Sequence, residues 1–319
     1  MAQIDELRLM TKVARLYYDR EMRQSEIAKQ MGLSQATVSR LITSAKDAGI
    51  VRITVNIPNG VNAEIEEQLI RKFNLKEAIV VDCEDDLDET LIQREIGSAA
   101  AFYVETLIHN NDVVGISSWS GTLLALVDAM RPVPGRTGIQ VVQILGGIGN
   151  PSAEVHANRL TGRFASLVNG SSHFLPVPGI IGSEAALQVL LDDQYVQETL
   201  QLFDRVSVAL VGIGVIEPSK LLTLSGNIFS FEEQEVLRGK GAVGDILLRF
   251  FDENGKPVKG PLSNRVVSMS LEQLARVNRA IAVAGGARKY KAILGALLGK
   301  WINVLVTDRC TAERLVQEM

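Results

Sequence analysis

The sequence predicts a two-part α/β protein: a small helix-turn-helix head, then a body built on a parallel sheet with helices on both faces. Three observations carry this. Between residues 24 and 49, two short helical patterns meet at a single glycine, Gly32. From Ala63 onward, short apolar runs alternate with helical stretches, as strands joined by crossover helices do. Glycines or small hydroxyl residues follow several of those apolar runs, at the strand ends where such sheets hold ligands.

The 319 residues suit two or three domains. With 46% apolar and 22% charged residues, the composition is that of an ordinary soluble globular chain. No apolar run approaches the roughly 20 residues needed to span a membrane. Residues 1–15 mix charge with apolar side chains, unlike a secretory signal. A cytoplasmic protein without a membrane partner is expected. Cys83 and Cys310 are far apart and in no metal-type cluster, which fits a reducing compartment and excludes a disulfide framework. No metal and no cofactor are expected. The net charge of −4 is unevenly divided: residues 1–56 hold nine Lys/Arg against six Asp/Glu, and the rest holds 24 against 31. A slightly basic head on an acidic body suits a specific DNA reader better than a general nucleic-acid coat.

In the head, Leu7, Met10, Val13, Ala14 and Tyr17 recur at helical spacing across residues 4–18 and predict one buried stripe. Residues 19–23 are a polar break. A helix over 24–31 buries Ile27, Ala28 and Met31, with Ala28 small where two axes approach. Arg23 falls at its N-cap position, where Ser, Thr or Asp would cap better. Gly32 supplies a left-handed turn, Leu33 pins it, and Ser34 caps a second helix that turns Val38, Leu41 and Ile42 inward. Gln24, Ser34, Gln35, Ala36, Thr37, Ser39 and Arg40 are the candidate DNA contacts: short or hydrogen-bonding side chains able to reach base edges and phosphates. Lys46 is a further candidate cation. Gly49 ends the helix. Val51, Ile53 and Val55 alternate with Arg52 and Thr54, a strand suited to a small wing. A polar helical hairpin with no DNA partner is the plainer reading, but glycine, cap, small residue and apolar positions all agree with DNA binding.

Residues 56–60, with Pro58 and Gly60, read as a hinge. It divides a DNA-binding domain, 1–56, from an effector-binding and oligomerisation domain, 57–319. An amphipathic helix over 63–73 opens the body. Strands are expected at 78–81, 112–116, 140–145, 173–176, 206–211, 245–251, 279–284 and 303–306. Helices are expected at 89–108, 121–130, 153–168, 184–191, 195–203, 231–238, 289–298 and 312–318.

The residues after each strand are the candidate ligand contacts. Ser117, Ser118, Trp119, Ser120, Gly121 and Thr122 precede a helix and can form an anion cradle. Trp119 there is either a lid or a packed aromatic. Gly146 and Gly147 follow the third strand. Gly285, Gly286, Arg288 and Lys289 open another helix, where backbone N–H groups and a cation can meet a phosphate. Gly212 to Gly214 is read as a tight strand-to-helix turn. The loop 239–245 ends in Asp245, whose carboxylate suits sugar hydroxyls or a turn cap. Residues 252–256 form a structural turn. His109, His156 and His173 match no metal spacing.

The order of these motifs is familiar. A helix-turn-helix followed by Gly241-Ala242-Val243-Gly244-Asp245, Phe251-Asp252, Val283-Ala284-Gly285-Gly286 with Lys289, and Ile302-Asn303 with Leu305-Val306-Thr307-Asp308 resembles the SorC family of sugar-responsive bacterial transcriptional regulators over nearly the full length. The resemblance implies a Rossmann-like effector domain similar to sugar-phosphate isomerase and deaminase folds, without that chemistry. It implies a small sugar, polyol or sugar-phosphate effector at the strand ends. It implies homodimers or tetramers on palindromic operator DNA, repressing a carbohydrate or polyol operon. By the same resemblance, residues 117–122 meet the effector, Asp245 binds its hydroxyls, and Lys289 with Gly286 binds its phosphate. Many relatives read Ser-Trp-Gly-x-Thr in the first loop, whereas this chain reads Ser-Ser-Trp-Ser-Gly-Thr, with the glycine displaced. The alternative is a sugar-phosphate enzyme fused to a DNA-binding head, with Asp245 as its acid or base.

Overall fold

The structure, a computed structural model, describes residues 2–51, 60–83, 88–227 and 229–317. The wing expected over 51–55 and the hinge over 56–60 lie outside the described residues, Val51 and Gly60 excepted. The chain forms two compact units, Met1–Pro58 and Asn59–Met319.

The first unit holds α1 (Ala2–Tyr18), α2 (Gln24–Met31) and α3 (Gln35–Asp47). Its core is Val13, Leu16, Ile27, Ala28, Val38 and Ile42, with Met10, Ala14 and Ala45 in a smaller adjoining cluster. Met31 and Leu41 lie half-buried at the margin. Leu7, expected on the buried stripe, is exposed at 41%. It sits too near the start of α1 for α2 or α3 to cover it, and the stripe runs through Leu16 instead. Gly32 has φ 68°, and its N–H returns to Ala28 O. The next amide, from Leu33, reaches the same oxygen at 2.9 Å. That left-handed residue lets the chain reverse within two positions.

The second unit begins with α4 (Ala63–Phe73), β1 (Glu77–Val81), α5 (Glu89–Leu107), β2 (Val113–Ile116), α6 (Gly121–Ala129), β3 (Gln140–Gln143), α7 (Pro151–Leu167) and β4 (Ser171–His173). It continues through α8 (Glu184–Leu191), α9 (Gln194–Gln201), β5 (Val208–Val211), α10 (Lys220–Ser225), α11 (Phe231–Gly239), β6 (Ala242–Ile246) and β7 (Arg249–Asp252). It closes with α12 (Leu271–Arg276), β8 (Arg279–Val283), α13 (Tyr290–Leu298), β9 (Val304–Asp308) and α14 (Arg309–Gln317).

Seven strands form one parallel sheet in the order β1-β9-β8-β5-β2-β3-β4. Because side chains alternate along a strand, each strand feeds two cores. Ala280 and Ala282 of β8 pack on one face, while Ile281 and Val283 pack on the other. Leu305 is likewise separated from Val304 and Val306. The second core is completed mainly by α5, α6 and α7, where Ile96, Leu123 and Phe164 are fully buried. From β2 the chain moves outward to β3 and β4, then returns to β5 and moves the other way through β8 to β9. The reversal falls between β2 and β5, where a doubly wound sheet opens a crevice.

Three expectations need correcting. The single strand expected at 245–251 is a hairpin, β6 with β7, outside the main sheet. Its turn is Leu247 and Leu248, with φ 56° and 62° and both buried. Leucines in a left-handed turn resemble a continuous apolar strand in sequence, and burial of both side chains offsets the backbone strain. The fourth strand lies at 171–173, ahead of the 173–176 expected. Helices α10 and α12 were not expected at all. With six residues each, neither repeats an apolar position often enough to show a period.

Candidate functional site

In the first unit, the Ser34 side chain caps α3, accepting the Thr37 N–H at 3.1 Å, and its hydroxyl also pairs with Thr37 Oγ1 at 2.8 Å. Gln35, Ala36, Ser39 and Arg40 are exposed along the start of that helix, while Gln24 and Thr37 are half-buried. Arg40 Nε reaches back to Ala36 O at 3.4 Å. Arg23 makes no side-chain cap for α2, as expected. Glu26 answers from the other side, accepting the Arg23 backbone N–H at 3.0 Å, one half of a capping box.

In the second unit, a cavity of about 510 Å³ opens where the strand order reverses. Its wall includes Ser117, Trp119, Ser120, Gly121 and Thr122 after β2, Gly212 to Val215 after β5, Asp245 with Leu247 and Leu248 from the hairpin, and Arg288 and Lys289 before α13. Ser120 caps α6, its Oγ accepting from Leu123 N at 3.3 Å. The positive end of that helix therefore faces the cavity. Gly121 leaves room for Gln93 of α5: a Cβ there would lie 3.1 Å from Gln93 Oε1.

Asp245 and Lys289, to which the resemblance assigns hydroxyl and phosphate binding, are both brought to this wall. Burial raises the Asp245 carboxyl to about 6, against the opposing pull of the Leu248 N–H and of Lys289. The Leu248 N–H donates to Oδ2 at 2.8 Å. Burial also lowers the Lys289 ammonium, with Glu89 and Asp245 working against it and Arg288 with it. Of the other charges on the wall, which include Lys220, three are already engaged. Arg288 forms a two-pronged bridge to Glu89, Nε to Oε1 at 3.0 Å and Nη2 to Oε2 at 3.2 Å. Arg238 hydrogen-bonds Glu217 and so lowers its carboxyl.

Trp119 is a packed aromatic, 5% exposed, whose indole N–H donates to Gly146 O at 2.9 Å. Ser118 is fully buried, donating to Leu145 O at 2.6 Å, and does not reach the cavity. Gly146, Gly147, Gly285 and Gly286 are also absent from the wall. The first two sit in tight quarters: a Cβ on Gly146 would run into the Pro178 carbonyl, and one on Gly147 into the Gln143 side-chain amide. The Gly286 N–H is held by Asp308 Oδ2 at 2.6 Å and Thr311 Oγ1 at 3.2 Å. Conversely, Gly212 and Gly214, read as a plain turn, lie on the wall. So do Glu89, Thr90, Gln93, Leu221, Leu222 and Phe229, which carry no local motif and become neighbours only through folding. Among the described residues no group of three or more His, Cys, Asp or Glu could hold a metal, and no helix is long and apolar enough to cross a membrane.

A family model described as "Putative sugar-binding domain" matches residues 58–317, and one for "Sigma-70, region 4" matches residues 10–47, which hold the helix-turn-helix. The chain is 33% identical to the sorbitol operon regulator of Klebsiella pneumoniae over 321 residues, covering 99% of this chain and 100% of that one. It is 32% identical to the deoxyribonucleoside regulator of Bacillus subtilis (strain 168) over 311 residues, 98% of each. The crystal structure of the full-length sorbitol operon regulator SorC from Klebsiella pneumoniae matches with a TM-score of 0.73 at 32% identity, covering 98% of this chain and 100% of that one.

Proposed function

The chain belongs to the SorC family of sugar-binding transcriptional regulators, and we propose that it controls a carbohydrate or polyol operon by binding a small sugar, polyol or sugar phosphate at the cavity between β2 and β5. The observation that carries this reading is the meeting of Asp245 and Lys289 on one wall, beside the capped start of α6. A carboxylate accepts hydrogen bonds from hydroxyls, an ammonium draws a phosphate, and a helix N-terminus favours the same anion. Leu247, Leu248 and Phe229 supply apolar contacts for the carbon skeleton.

The DNA partner is a palindromic operator, read by Gln24 at the start of α2 and by Ser34, Gln35, Ala36, Thr37, Ser39 and Arg40 at the start of α3, from two copies of the helix-turn-helix in a homodimer or tetramer. Half-sites then repeat at about one helical turn or a multiple of it. The protein acts in the cytoplasm, as a repressor released by its effector, which works by binding the two DNA-affinity states unequally. Binding without turnover is favoured because Glu89 and Glu217 are each held by an arginine, so no second carboxyl on the wall is left to work with Asp245.

One observation favours an enzyme instead: a carboxyl near 6 is poised for acid–base work. A thermal-shift screen of sugars, polyols and their phosphates, followed by operator gel shifts with each hit, separates the readings. A hit that moves the operator affinity supports regulation. Turnover of a sugar phosphate, lost in Asp245→Asn, supports the enzyme.

A further inference from the structure

Cys83 and Cys310 are the only cysteines in the sequence, and the fold carries both to the same end of one strand pair. β1 and β9 run parallel, with Val81 opposite Asp308. One residue further, Asp82 and Arg309 face each other, Oδ1 to Nη1 at 3.6 Å. One residue further again come Cys83 and Cys310, near enough that the charge of one thiol acts on the other. Neither is in a disulfide. Their surroundings differ. Cys83 is half-buried, with Sγ 3.9 Å from Val81 O and a hydrogen bond to Glu95 of α5. Cys310 is exposed in the first turn of α14, open to an oxidant in solution.

We propose that Cys310 and Cys83 form a reversible intrachain disulfide, making this corner of the second unit an oxidation site for hydroperoxides. Nothing in it depends on the effector reading. Cys310 is the attacking thiol. Burial, then Glu95, Asp308 and Cys310, push the Cys83 thiol up to about 12, so it stays protonated at neutral pH. The Cys310 thiolate attacks the peroxide O–O bond, giving a sulfenic acid and releasing hydroxide, which takes up a proton as water. Cys83 then attacks the sulfenic sulfur. Its proton passes to the sulfenic oxygen as the S–S bond forms and the S–O bond breaks, so that oxygen departs as a second water. Two thiols lose two electrons and one peroxide is reduced to two waters. A dithiol reverses the step by exchange. The bond would fasten β1 to α14 at the point where the chain leaves for α5, the helix whose Glu89 and Gln93 stand on the cavity wall. A disulfide of this kind suits a reducing compartment, where such bonds are transient and sensing.

The test treats the full chain with excess hydrogen peroxide, blocks remaining thiols, and maps peptides without reductant by mass spectrometry. The expected product is one cross-linked pair joining the Cys83 and Cys310 peptides, abolished by dithiothreitol and absent in Cys310→Ser. In Cys83→Ser, the sulfenic acid on Cys310 persists and is trapped by dimedone. Melting curves of both variants check that each is folded, and Cys310→Ser alters only an exposed position. Three results would overturn the proposal: both cysteines still alkylatable after peroxide, a cross-link between two chains through Cys310, or sulfinic and sulfonic acid on wild-type Cys310 in place of the pair.

Discussion

Gly214 and Asp245 are joined by two backbone hydrogen bonds, Gly214 N to Asp245 O at 2.9 Å and Asp245 N to Gly214 O at 3.1 Å. Their closeness needs a glycine, because a Cβ on residue 214 would lie 2.1 Å from Asp245 Oδ1. The carboxylate is therefore set by backbone contacts between the β5 loop and the hairpin. Gly214→Ala should displace it while leaving the sheet intact. With one charge-assisted hydrogen bond lost, affinity for the best thermal-shift hit should fall roughly ten- to hundredfold. Isothermal titration checks this; an unchanged affinity in a variant that melts normally would remove Asp245 from the site.

Asp245 also predicts a pH dependence, and its sign is the reverse of a salt-bridged carboxylate. Its folded value, about 6, lies above the ordinary aspartate value of 3.8. Between the two, the folded state binds the extra proton, so unliganded stability should decline as pH rises from 4 to 6 and then level off. Asp245→Asn should flatten that decline and leave the free protein more stable at pH 7 by roughly 1–3 kcal/mol. Denaturant melts at pH 4, 5, 6 and 7 measure both effects.

Lys289→Ala should weaken a phosphorylated ligand far more than its unphosphorylated parent, by about tenfold or more for loss of a charged partner. Paired titrations with a sugar and its phosphate decide the point. Equal losses for both would place the phosphate elsewhere.

Asn227 is 3% exposed and holds three backbone groups together. Its Oδ1 accepts from Gly179 N at 2.6 Å and Ile180 N at 3.2 Å, and its Nδ2 donates to Ile148 O at 2.9 Å. Asn227→Ala leaves those groups unmatched and should cost about 2–4 kcal/mol in chemical denaturation. Asn227→Asp, which keeps the acceptor, should cost less if the acceptor role dominates.

In the head, Ser34→Ala and Arg40→Ala should separate stability from recognition. Ser34→Ala removes the α3 cap and should lower stability by about 1 kcal/mol. Arg40→Ala should leave melting unchanged yet weaken operator binding and reduce its salt dependence by about one counterion. Gel shifts across a salt series test the second claim; the same salt slope with and without Arg40 would deny it a phosphate contact.

The repeating parts of the architecture were legible in the sequence. Helix 63–73 and the helix-turn-helix bounds could be read because apolar spacing, Gly32 and Ser34 are local signals. The cavity was legible in part. Asp245 and Lys289 stood out beside glycine-rich turns, yet those same turns misdirected attention to Gly285 and Gly286. Their purpose is internal: Gly285 leaves room for Asp308, since a Cβ there would lie 2.3 Å from Asp308 Oδ2. No local pattern marks Asp308 or Thr311 as partners of that turn. Gln93 and Phe229 were equally invisible, since α5 and the stretch after α10 meet only once the sheet is wound. Leu247 and Leu248 were misread because a buried left-handed turn of leucines has no composition signal of its own.

The reversal of strand order between β2 and β5 also bears on how such a protein can change over generations. β2 and β5 pair through their backbones, so the sheet asks nothing of the side chains gathered above their ends. Gln93 comes from the β1–β2 connection and Leu221 and Phe229 from the β5–β6 connection, outside the strands themselves. A scaffold wired in this way separates the inheritance of its frame from the inheritance of its taste. Proteins named for sorbitol and for deoxyribonucleosides match this chain over nearly its whole length, so one frame is shared beneath both names.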